Sequence, residues 1–199
     1  MTERDEKILR AAKAVFSKYG VAKTTMSDIA AEAGVARQTV YNAFPGKPEI
    51  LRGTTRLMMD DFRLALLDAW TGAECVADKV DVYFEMGPVN WYQTIASSPE
   101  IAELFEGINE HASIEVRRAA ETWISLFSEM FEQGNLAPKD TDVSLQDVAE
   151  FLYFASLNAK HSVQSADALR ARLKTIKSAL LNMLDEQSLS AIQPKLTGT

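Results

Sequence analysis

Thr24-Thr25-Met26-Ser27-Asp28-Ile29-Ala30-Ala31-Glu32-Ala33-Gly34-Val35-Ala36-Arg37-Gln38-Thr39-Val40-Tyr41-Asn42-Ala43-Phe44-Pro45-Gly46-Lys47-Pro48-Glu49-Ile50-Leu51 reads as two short helices joined by a tight turn. Thr25, three residues before Asp28, is a helix-start signature: it brings a side-chain oxygen to the free amides and an acid to the positive end of the dipole. A helix therefore begins near Met26, with Ile29, Ala30 and Ala33 as its narrow apolar face. Gly34 follows where the chain must leave the helical conformation, a position that suits a residue with no Cβ. The second helix runs from about Arg37 to Phe44. Val35, Val40 and Phe44 pack inward at helical spacing, while Arg37, Gln38, Thr39, Tyr41 and Asn42 point elsewhere. This is a helix-turn-helix with a polar outer face, and the second helix of such a pair lies in the DNA major groove. Arg37, Gln38 and Asn42 carry the donors and acceptors that base edges require, Arg for guanine and Gln or Asn for adenine.

Upstream, residues 3–19 form a first helix with Ile8, Ala11, Ala12, Val15, Phe16 and Tyr19 on one face and Gly20 placed to stop it. Lys7, Arg10, Lys13 and Lys18 fall on the other positions and read as solvated surface. The pattern Thr-Thr-Met-Ser-Asp-Ile-Ala-x-Glu-Ala-Gly-Val-Ala-x-x-Thr-Val-Tyr-x-x-Phe-x-x-Lys-x-x-x-Leu resembles the amino-terminal signature of the TetR/AcrR regulators, over Ile8 to about Leu51. The resemblance implies that Thr25, Thr39, Tyr41 and Lys47 hold the phosphate backbone, which fixes register without reading sequence. Read alone, Thr25 serves equally as a helix cap and Tyr41 as a packed aromatic. Two departures stand out: Ala36 replaces a capping Ser, and Asn42-Ala43 replace the aromatic or His residues common there.

The 199 residues carry a net charge of −7, unevenly divided. Residues 1–56 hold 10 Lys+Arg against 6 Asp+Glu, or +4, and the remainder holds 11 against 22, or −11. The basic charge is thus local to the helix-turn-helix end, and an acidic body helps orient that end toward phosphate. The single Cys75 excludes an internal disulfide, and the two histidines, fifty positions apart, make no zinc-type cluster. No metal and no cofactor are expected. The charged start and the lack of a long apolar run point to a cytoplasmic chain without a membrane span.

Pro45-Gly46 and Pro48 mark a new helix from about Lys47 to Trp70, with Leu51, Thr55, Met58, Phe62, Ala65 and Ala69 as a seam. One end lies beside the reader and the other inside the body, so this helix is the lever between them. Pro88 falls inside the next apolar stripe and predicts a kink or a split there, placing Trp91 and Tyr92 at an irregular point in the interior. Met58, Phe62, Met86, Trp91, Tyr92, Phe105, Trp123, Phe127 and Phe154 converge from separate helices. They would surround a mainly apolar ligand pocket if the bundle leaves one open; the same residues also make a filled core. Residues 136–143 read as a loop. The helix from Leu145 to Val163 is apolar nearly all round, with Phe151 and Leu152 among its residues, and so must be covered on both sides. The final helix, about Ala166 to Glu186, has a 4-3-4-3 seam of Leu169, Leu173, Ile176, Leu180 and Met183. Two such helices from each of two chains would build a four-helix dimer interface, which the family resemblance also implies.

The reading is an all-α protein of about nine helices: a three-helix DNA-binding domain over 1–46 and a larger ligand-binding and dimerisation domain over 47–199. The expected function is a homodimeric transcriptional regulator that binds double-stranded DNA, a repressor released by a mainly apolar effector. Alternatives are a regulator controlled by a protein partner, an activator, or a helical enzyme or carrier. The last lacks a nucleophile with a nearby base, a phosphate-binding glycine loop and a metal set.

Overall fold

The computed structural model describes residues 1–186, without the side chains of residues 105–107 and 109–111; the tail after Glu186 and the Phe105 side chain lie outside the described residues. Helices α1 (Glu3–Tyr19), α2 (Met26–Ala33), α3 (Arg37–Ala43) and α4 (Lys47–Trp70) are followed by α5 (Val76–Phe84), a π-helical turn (Glu85–Val89) and α6 (Asn90–Ser97). Then come α7 (Pro99–His111), α8 (Ser113–Gln133), α9 (Leu145–Asn158) and α10 (Ala166–Asn182). With α5 and α6 taken as one interrupted helix, the described residues contain nine, as expected from the sequence.

The helix-start signals are realised as drawn. Thr25 accepts the Asp28 amide at 3.2 Å, and Asp28 accepts the Thr25 amide in return at 2.8 Å. Together they satisfy two of the donors that a helix start leaves open. Gly34 is left-handed, at φ 62° and ψ 40°, and turns the chain from α2 into α3. Pro88 sits in the π-helical turn, where the Asn90 amide bonds to the Glu85 carbonyl, so the expected irregularity takes the form of a widened turn rather than a break.

Two apolar clusters organise the molecule. The amino-terminal one joins Ile8, Phe16, Ile29 and Val40 to Ile50, Leu51 and Leu57 of α4, to Leu104 and Ile108 of α7 and to Ala112 between α7 and α8. The second holds Leu66 and Trp70 of α4 together with residues of α5, α8, α9 and α10. Helix α4 therefore changes core along its length. Its seam also drifts: Ala65 is exposed, and the buried positions after Phe62 are Leu66 and Trp70. A helix of 3.6 residues per turn rotates off a strict 3.5-residue seam over this many turns.

The expected partner-facing seam proves to be internal. Leu152, Leu169 and Leu180 are fully buried and Leu173 nearly so within the subunit's own core, with Phe151, Ile176 and Met183 packed at its edge. Spacing identifies a buried stripe but not the neighbour that buries it, and here α5 and α9 cover α10. The opposite face of α10 exposes Ala168, Ala171, Thr175 and Ala179. On α9, Phe154 is 48% and Leu157 41% exposed. A small antiparallel pair, β1 (Leu136–Pro138) with β2 (Leu184–Glu186), replaces the expected loop and the last turn of α10.

Candidate DNA-reading surface and ligand cavity

Val40 at 0% exposure anchors α3, and the residues around it turn outward. Arg37, Gln38, Tyr41 and Asn42 are exposed and Thr39 is half-buried. They form two ridges at i,i+4 spacing. Gln38 Nε2 donates to Asn42 Oδ1 at 2.9 Å, and Arg37 Nη2 donates to the Tyr41 hydroxyl at 3.3 Å with its guanidinium 5.3 Å from the ring centroid. Each pair holds its side chains extended while leaving the Gln38 carbonyl, the Asn42 amide nitrogen and most of the guanidinium donors for a base edge. At Ala36 the start of α3 has no side-chain cap, as the Ala-for-Ser departure implies. Thr25 is exposed beside this surface and its hydroxyl also donates to Asp28 at 2.7 Å; those bonds hold the Asp28 carboxyl below its usual range.

Lys47 differs from the expectation of a phosphate contact. Its ammonium donates to the carbonyls of Val21 at 2.7 Å, Thr24 at 3.1 Å and Ala22 at 3.2 Å, which occupies all three of its donors. It clamps the α1–α2 loop onto the start of α4. From the other side Glu103 of α7 accepts the Ala22 amide at 2.6 Å. Gly20, at φ 80°, makes room for that carboxylate: a Cβ there would stand 2.3 Å from Glu103 Oε2. The reader's first loop is thus gripped by α4 and α7 together. Lys47→Ala is expected to lower stability by about 2 kcal/mol, through lost charge-assisted hydrogen bonds, while leaving the salt dependence of DNA binding unchanged. A salt slope reduced by about one unit, with stability intact, would restore the phosphate role.

A cavity of about 350 Å3 opens where α4 crosses between the two cores. Thr55, Met58, Met59 and Phe62 of α4 form one wall, and Tyr83, Gly87, Pro88, Trp91 and Ile95 form another. Ile108 of α7 and Val116, Ala119 and Trp123 of α8 close it, and Tyr153, Leu157, Asn158, Lys160 and His161 form its end. The π-helical turn brings Gly87 against this space: a Cβ there would meet Tyr83 at 3.3 Å and Phe62 at 3.4 Å. The Tyr83 hydroxyl is buried 2.9 Å from Ser156 Oγ, and since Ser156 donates to the Tyr153 carbonyl at 3.0 Å, Tyr83 is the donor. Burial pushes the Tyr83 phenol well above its ordinary value, so it stays neutral.

Of the residues expected to line a pocket, Met58, Phe62, Trp91 and Trp123 do so. Phe127 does not; it is fully buried in the second core. Met86 and Tyr92 pack against that core without reaching the cavity wall, and Phe154 faces outward. Tyr83, Tyr153, Lys160 and His161 were not expected at the wall. The two tyrosines lie on recognisable apolar stripes, but the lysine and histidine sit in the turn after α9, where helical spacing carries no signal.

Residues 8–54 match the model of the bacterial regulatory proteins, tetR family. The chain is 32% identical over 123 residues to the HTH-type transcriptional repressor LfrR of Mycolicibacterium smegmatis, a match covering 58% of this chain and 64% of that repressor's length. The fold resembles that of the fatty acid degradation regulator FadR of Bacillus halodurans, with a TM-score of 0.62, 18% identity, and coverage of 91% of this chain and 96% of that one. It also resembles Thermus thermophilus FadR, a transcriptional repressor solved in complex with lauroyl-CoA, with a TM-score of 0.55, 22% identity, and coverage of 93% and 97%.

Proposed function

From the match of residues 8–54 to the tetR family of bacterial regulatory proteins, we propose that this chain is a dimeric repressor of that kind, which binds a pseudo-palindromic operator and leaves it when an effector fills the body. One observation carries this reading: α4 supplies Ile50 and Leu51 to the reader's core and Met58, Met59 and Phe62 to the cavity wall. A ligand that fits better when α4 is displaced favours a dimer whose two α3 helices no longer match successive grooves. A coupling of roughly 1–3 kcal/mol weakens operator binding about 5–150-fold. The reading keeps 1–46 as the reader and 47–199 as the effector and dimer domain, assigns no catalytic step, and places the protein in the cytoplasm with its DNA. No helix among the described residues is long and apolar enough to cross a membrane.

The two-fold mate docks on the exposed small-residue stripe of α10 and on Phe154 and Leu157 of α9, building a four-helix interface. Two-fold symmetry then sets half-sites about one helical turn, ~34–36 Å, apart or a simple variant of it. The mainly apolar wall supports an effector with an apolar portion, and the lauroyl-CoA bound by the Thermus neighbour has one in its acyl chain.

Base reading is tested on an inverted repeat from the protein's own promoter. Gln38→Ala is expected to cost about 1–3 kcal/mol at particular base pairs of that repeat and little on random DNA. Equal loss on both, in an anisotropy titration, would remove Gln38 from the base-reading set.

A further inference from the structure

Among the described residues, the cavity wall carries one formally charged side chain, the Lys160 ammonium, with the His161 imidazole beside it. Among the described lining residues there is no Asp or Glu, although residues 57–199 as a whole carry −11. Lys160 and His161 line the cavity from the turn that follows α9. That turn is held in place: Arg172 Nη1 donates to the Ala159 carbonyl at 2.7 Å and to the His161 carbonyl at 2.6 Å, and the His161 amide bonds to the Asn158 carbonyl at 3.1 Å. Lys160 is half-buried there and makes no ion pair or hydrogen bond with any described residue. A partly desolvated ammonium without a counter-charge is costly, and burial alone pushes the Lys160 pKa down. An anion seated beside it removes that cost and gains a charge-assisted hydrogen bond. A cation at the same place would meet repulsion.

The rest of the wall sets the remainder of the molecule. Met58, Phe62, Trp91 and Trp123 offer apolar and aromatic surface, and of the two tyrosines in the wall Tyr83 already has its phenol committed to Ser156. The groove of about 250 Å3 beside the cavity, between α4 and α8, is less selective. Its Arg56, Arg63 and Arg118 share it with Asp60 and Glu115, and Arg56 is paired with Glu115 at 3.2 Å.

We propose that the effector is an apolar organic acid, a carboxylate whose tail fills the cavity and whose charged group pairs with Lys160 at its end. The inference rests on the cavity being the effector site, and it adds the sign and position of the ligand's charge.

Decanoate and decanol, matched in tail and different in charge, separate the two claims when titrated against the full chain by calorimetry. Decanoate is expected to bind roughly tenfold more tightly than decanol, the worth of one partly desolvated ion pair. Lys160→Met should abolish that preference, and Lys160→Arg should retain it. Equal affinity of the two probes for the unmodified chain would overturn the acid assignment and leave the cavity as an effector site. A preference for decanoate that survives in Lys160→Met would overturn the role of Lys160. Binding of neither probe would overturn the effector site itself and this inference with it.

Discussion

Phe127→Ala lowers the stability of the chain by about 3–5 kcal/mol, the cost of removing a fully buried aromatic side chain together with the cavity it leaves. The ring has no solvent exposure and stands 4.7 Å from Tyr83, 6.0 Å from Trp123 and 6.4 Å from Trp70 between centroids, the nearest contact edge-on. Those partners come from α4, α5 and α8, so the deletion loosens the second core where three helices meet. For a protein of this size the loss corresponds to a fall in Tm of roughly 6–20 °C. Met58→Ala is the control. Met58 is half-buried and its side chain borders open space, so its removal should change effector affinity more than stability. Phe127→Ala unfolding within about 1 kcal/mol of the unmodified chain would mean that this ring faces the cavity after all, since a pocket residue gives up few packing contacts.

Thr175→Arg is expected to convert the proposed dimer to monomers and to remove most of the operator affinity. Thr175 lies in the exposed row Ala168, Ala171, Thr175 and Ala179, where short side chains let two helices approach closely. An arginine there inserts bulk and charge into the face proposed for the partner while remaining in solvent in the lone subunit, so the fold itself survives. Separating the two readers forfeits the bivalent gain, which is about 10²–10⁴ for linked binding modules. Light scattering should report the monomer mass, and circular dichroism an unchanged helical spectrum. Ile176→Glu makes a poorer test, because Ile176 packs against the subunit's own core and a carboxylate there destabilises the monomer as well. A Thr175→Arg protein that remains dimeric and binds the palindrome normally would place the interface on another face.

The reader was legible because its signals are local. Thr25 with Asp28, Gly34, and the inward Val35, Val40 and Phe44 each specify backbone geometry or facing within a few residues, and the helices begin and turn where these residues require. Lys47 is the complementary case. A lysine at the start of α4 has the chemistry for phosphate, but its actual acceptors are carbonyls some two dozen residues upstream, and no local pattern announces them.

The body shows the same limit on a larger scale. Trp123 and Phe127 are one turn apart on the same apolar stripe of α8, yet one borders the cavity and the other lies in the core; depth along the helix distinguishes them, and spacing does not record depth. Leu169, Leu173 and Leu180 were correctly read as a buried seam, but the covering surface came from the same chain. What remained for a partner was the face written in alanine and threonine, which carries almost no hydrophobic signal. Phe154, grouped with the pocket because it is aromatic, is exposed and stands outside the cavity wall.

The most direct test of α4 as the link between cavity and reader is the affinity of the dimer for its own promoter's inverted repeat, measured by anisotropy at low salt with and without a saturating cavity ligand such as decanoate. The account predicts tight binding by two subunits per repeat and a loss of about 5–150-fold when the cavity is filled. Equal affinity in both conditions, with occupancy of the cavity verified in the same samples, would contradict it.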